Sequence, residues 1–96
     1  MEISLDFTKA ERQAQSLERC ADDLLRQSRE VSGIIADIRR LWQGDTAGLY
    51  IRKLQALETE LRDNASKCSA DAIDFRAKIA AVKKADEETK RAMEGA

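Results

Sequence analysis

Apolar residues recur along almost the whole chain at alternating steps of four and three. Ala10, Ala14, Leu17, Ala21, Leu24, Ser28, Val31, Ile35, Ile38 and Trp42 follow that spacing, with one polar break at Ser28. This is the heptad seam of a helix that packs against another helix. Cys20, Leu25, Ile34 and Leu41 stand beside the seam and widen it towards bundle packing. A second series runs through Ile51, Leu54, Glu58, Leu61, Ala65, Cys68, Ala72, Phe75, Ile79 and Val82, and continues through Asp86, Thr89 and Met93. Leu57 is expected to take the inward role beside Glu58. No proline occurs anywhere, and no glycine interrupts Leu49 to Glu94. Gly33 falls inside the first helix, where it costs ~1 kcal/mol against alanine, so a close approach by another helix is expected there.

Trp42-Gln43-Gly44 separates the two series. Gly44 can adopt the left-handed conformation that ends a helix, and Asp45 or Thr46 can cap the next. At the start of the chain, Ile3, Leu5 and Phe7 alternate with polar residues, which predicts a short extended arm over residues 1–7. Thr8-Lys9-Ala10-Glu11 then fits a capping box. The spacing therefore predicts an all-α fold: one domain over residues 1–96, with helices at about 8–42 and 46–94 forming an antiparallel hairpin. The expected core is Leu17, Leu24, Val31, Ile35 and Ile38 against Leu54, Leu61, Phe75 and Ile79. A two-helix hairpin has little interior, so a stripe this wide predicts dimerisation into a four-helix bundle.

Two consequences follow from a bend at Gly44. Facing residues have numbers that sum to about twice 44, which places Cys20 opposite Cys68, the chain's two cysteines. They fit a disulfide, if the Cα atoms come within ~7 Å, or two small thiols filling a tight spot. The helices also differ in length, about 34 residues against nearly 50, or ~50 Å against ~70 Å. Everything beyond Ala80 is then expected to overhang the first helix, unless the extended arm covers part of it.

Charge narrows the function classes. Seventeen basic and eighteen acidic residues leave a net charge of −1, which lacks the basic excess of a nucleic-acid binder. No apolar run approaches the ~20 residues of a membrane span. The first twelve residues lack the basic and apolar regions of a conventional signal peptide, so the chain is expected to stay in the cytoplasm or to leave by a route that reads no such peptide. With no histidine in the sequence, Ser–His and Cys–His pairs and Glu-x-x-His iron sites are excluded. Two cysteines without histidine make a poor zinc site, and there is no glycine-rich phosphate loop. No enzyme activity, metal or cofactor is expected. The carboxylates, with Arg39-Arg40 and Lys83-Lys84, read as solvated helix faces.

Length, the two helices and Trp-x-Gly at the bend together resemble the WXG family of type VII secretion substrates, the Esx group that includes the early secreted antigenic target of mycobacteria. Trp42 and Gly44 take the motif positions, and Tyr50 stands where family members often carry an aromatic. The family's C-terminal secretion pattern, hydrophobic-xxx-Asp/Glu-xx-hydrophobic-xxx-hydrophobic, is matched by Val82, Asp86, Thr89 and Met93, with Thr89 a weak fit. Val82 replaces the tyrosine of the mycobacterial form, which makes the chain look like a self-pairing member. The resemblance implies export as a folded homodimer and recognition by a membrane-anchored FtsK/SpoIIIE-type ATPase, with a role as secreted effector or secretion partner. The alternative it implies is a cytoplasmic adaptor or targeting chaperone, paired with a related hairpin protein or with the helical head of a larger toxin.

Overall fold

The computed structural model describes residues Ile3–Gly95, with side chains from Phe7 onward. Two helices account for nearly all of it: α1, Ile3–Leu41, and α2, Asp45–Gly95. They pack antiparallel as a hairpin 79 × 17 × 15 Å in extent. Contacts between α1 and α2 run from Ser32–Glu58 near the bend to Glu11–Lys83 near the far end.

The heptad reading holds along the seam. Ala14, Ala21, Ser28, Val31 and Ile35 of α1 are buried, as are Ala65, Ala72 and Ile79 of α2. Leu17, Leu24 and Ile38 of α1, and Leu54, Leu61 and Phe75 of α2, are half-buried. A two-helix core sets this limit, because most large side chains between two cylinders show one flank to solvent. Complete burial falls to small residues instead. Ala14, Ala21, Ala65 and Ala72 carry no bulk to hold the helices apart. Ser28 is tolerated in the seam because its Oγ donates to the Leu25 carbonyl at 2.7 Å, which leaves no orphaned polar atom.

Several expectations are revised. Ile3–Phe7 is helical and not an extended arm; Met1 and Glu2 of that arm lie outside the described residues. Nothing in ISLDFTK breaks a helix, and Phe7 gains a partner on α2, with Lys83 Nζ 5.5 Å from the ring centroid. Thr8 is consequently an interior residue, and Glu11 bonds Lys83 in place of closing a capping box. At the other boundary, α2 opens at Asp45. The Gly44 carbonyl accepts from the Gly48 N–H at 3.3 Å, which makes Gly44, and not Asp45 or Thr46, the residue that caps the helix. Ala47, outside the expected core, is buried just after the bend.

Towards the bend, Glu58 and not Leu57 points inward. Leu57 is 42% exposed, whereas Glu58 accepts from Ser32 Oγ at 2.6 Å and pairs with Arg62 at 2.8 Å. Gly33 is exposed, with nothing within 4 Å of where a Cβ would stand, so no helix approaches it within the hairpin.

The overhang is shorter than a start near Thr8 implies. Phe7 lies at Lys83, so the backbone of α1 at Ile3 reaches about four residues further along α2. Roughly the last two turns of α2, ~12 Å, then extend beyond α1.

Candidate functional site

The chemistry of this surface is laid out in three places: the bend, the two flanks of the seam, and the tail of α2. At the bend, Gly44 has φ +102°, a backbone region that L side chains rarely adopt. Its turn leaves Trp42 51% exposed, with its ring edge-on to Tyr50 at 5.8 Å and 87°. The indole is thus half a plug and half a surface. It supports the top of the hairpin through Tyr50 and presents its remaining face to solvent.

The flanks differ sharply. With Ala14, Ala21 and Ile35 as heptad a positions and Leu17, Leu24 and Val31 as d, the residues just after d line one flank. There Glu18 accepts from Arg76 at 2.6 and 3.2 Å, and Glu11 accepts from Lys83 at 2.8 Å. The hydrogen bonds from Arg76 and Lys83 are the main reason that both carboxyls sit below their usual range. The Arg76 guanidinium is correspondingly pushed up by its bond to Glu18. Lys83, expected to be solvated, is therefore engaged with both Glu11 and Phe7.

The residues just before a line the opposite flank. Near the bend these are Ile34 and Leu41 of α1 and Tyr50 and Leu57 of α2, all exposed, Leu41 to 70%. Together with Trp42 they form an apolar patch with no cover from the hairpin. The sequence signal for it was present but divided, since Ile34 and Leu41 widen one stripe while Tyr50 and Leu57 stand beside the other.

At the tail, Val82, Asp86, Thr89 and Met93 share one face of α2 by their spacing. Val82 and Met93 are exposed, Met93 to 75%. Thr89 is exposed and its Oγ1 donates to the Ala85 carbonyl at 2.9 Å. Asp86 is half-buried and pairs with Lys90 at 3.3 Å. The inward line has moved from Val82 to Lys83 here, because a straight helix drifts ~20° per heptad from a 3.5-residue repeat. Within one chain, some 38 residues of helix, ~57 Å, separate Gly44 from Val82, so the hairpin does not bring the two motifs together.

Cys20 and Cys68 do meet. Their sulfurs are 3.6 Å apart, both as thiols, with Cys20 exposed and Cys68 half-buried. Among the described residues no cluster suited to a metal ion occurs, and no helix is long and apolar enough to cross a membrane. A groove of about 350 Å³ is lined by Gln13, Ser16, Leu17 and Phe75. Compared with family models, curated proteins and solved structures, the chain matches none of them.

Proposed function

We propose that this protein is a non-enzymatic, self-pairing helical hairpin exported by a type VII secretion system. The observation that carries the reading is the placement of two incomplete surfaces at opposite ends of a rod. Trp42, Gly44 and the apolar patch stand at the bend, and Val82, Asp86 and Met93 stand near the tail. A second copy packed antiparallel by a two-fold axis covers each patch with the other chain's tail. It also joins Trp-x-Gly of one chain to the C-terminal pattern of its partner, giving a signal that exists only in the folded pair. A membrane-anchored FtsK/SpoIIIE-type ATPase is the proposed reader.

Surface area leaves room for such a partner. The chain exposes 7456 Å², whereas a globular monomer of 10.8 kDa exposes about 5,500 Å². The excess of about 1,900 Å² exceeds the ~800 Å² that each partner contributes to a standard stable interface.

The test is export of Trp42→Ala and Asp86→Ala from a host carrying such a system, with helical content followed by circular dichroism. Loss of both variants from the medium at near-normal helicity is the expected result. Normal export of both refutes the reading. Recovery of the chain only in complex with a different helical hairpin favours the adaptor role in its place.

A further inference from the structure

We propose that Cys20 and Cys68 form a reversible dithiol site that exchanges with a low-molecular-weight disulfide and, once oxidised, staples the two helices at mid-length. The site needs only the hairpin, so it stands whether or not the chain is exported.

Three observations support it. The sulfurs are already 3.6 Å apart, so forming an S–S bond of about 2.05 Å asks for a closure of only ~1.5 Å. The surrounding seam is made of alanine: Ala21 adjoins Cys20, and Ala65 and Ala72 lie one turn to either side of Cys68, all buried. Helices ordinarily pack at 8–10 Å, further apart than most disulfides span, and small residues are what allow a closer approach. The two thiols also differ in access. In the single hairpin Cys20 is exposed and open to a small reagent, whereas Cys68 is half-buried. The Cys68 thiol donates to the Cys20 sulfur, and that bond, with burial, pushes it above the ordinary thiol range. Cys20 is therefore the entering sulfur and Cys68 the resolving one.

The exchange proceeds in two steps. The Cys20 thiolate attacks one sulfur of the small disulfide. That S–S bond breaks, and the first small thiolate leaves and takes up a proton. Cys68 then releases its proton to solvent, and its sulfur attacks the Cys20 sulfur of the mixed disulfide. The second small thiolate leaves and is protonated. Two protein thiols have lost two electrons in all, and one small disulfide has become two thiols. The product joins residues 48 apart in sequence, which constrains the unfolded chain far more than the already paired helices.

The experiment treats the reduced wild-type chain with oxidised glutathione at neutral pH, followed by intact mass, peptide mapping and thermal melting. The expected product is a single chain lighter by two hydrogens, with the Cys20 and Cys68 peptides joined. Its Tm should rise by about 10 °C or more and return on reduction. Cys68→Ser should accumulate one glutathione on Cys20, while Cys20→Ser should react several-fold more slowly. Chain-to-chain disulfides, stable glutathione adducts on the wild type, or an oxidised chain with an unchanged Tm would each overturn the proposal. The wild-type measurements decide the matter even if a serine variant folds poorly.

Discussion

Two glycines in α1 and the bend have opposite meanings. Gly44 sits at φ +102° with open space around it, so a side chain there meets strain in the backbone and no clash. Gly44→Ala should lower stability by about 1–2 kcal/mol. Gly33 lies in a helix interior, also with open space around it. Gly33→Ala should raise stability by about 0.5–1 kcal/mol. Denaturant melts of the two variants check the pair, and equal effects would contradict the assignment. The role of Gly44 was legible in the sequence because a glycine between two heptad series has few other uses. The fate of Glu58 was not. Spacing alone put either Leu57 or Glu58 inward, and hydrophobicity favoured the leucine. A hydroxyl on the facing helix, Ser32, decided for the carboxylate, and a partner 26 residues away is invisible to local pattern.

At the scale of the helices, periodicity located both helices and the bend, and missed the start of α1. The start of α1 lies at Ile3 and not near Thr8 because a cap is a weak signal, worth about 1 kcal/mol, and a packing partner such as Lys83 for Phe7 overrides it. The paired charges were hidden for the same reason: Glu11 with Lys83 and Glu18 with Arg76 are distant in sequence. They give the hairpin an acid dependence. Both carboxyls have folded-state pKa values below their unfolded values. Their contribution is therefore complete above the unfolded carboxylate pKa of ~4.3 and is lost as pH falls through the folded values. These pairs are exposed, so the effect is modest and screened by salt. The Tm should be level between about pH 6 and 8 and fall below about pH 4. Glu18→Gln should flatten part of that fall. A variant with the wild-type acid profile would show that the Glu18–Arg76 pair contributes nothing.

At the scale of the whole molecule, the hairpin is a thin rod. Its radius of gyration is 22.0 Å, whereas a compact chain of this length measures ~12 Å. No large side chain among the described residues is fully buried. Hairpin topology and the wide stripe were both legible in the sequence. The division into a charged flank and an apolar flank was not, because it depends on which positions of the two helices face one another. On the proposed self-pairing, that division gives a second copy a preferred side. It also makes Ile34 and Leu41 informative positions: replacing both with lysine should dissociate the pair at near-normal helicity, seen as a halved mass by light scattering.

Self-pairing is the claim on which the functional reading rests, and sedimentation equilibrium of the purified, reduced chain at micromolar concentration tests it most directly. The expected mass is twice the 10.8 kDa of the chain. A well-folded helical species with the mass of one chain, unchanged as concentration rises, would contradict it.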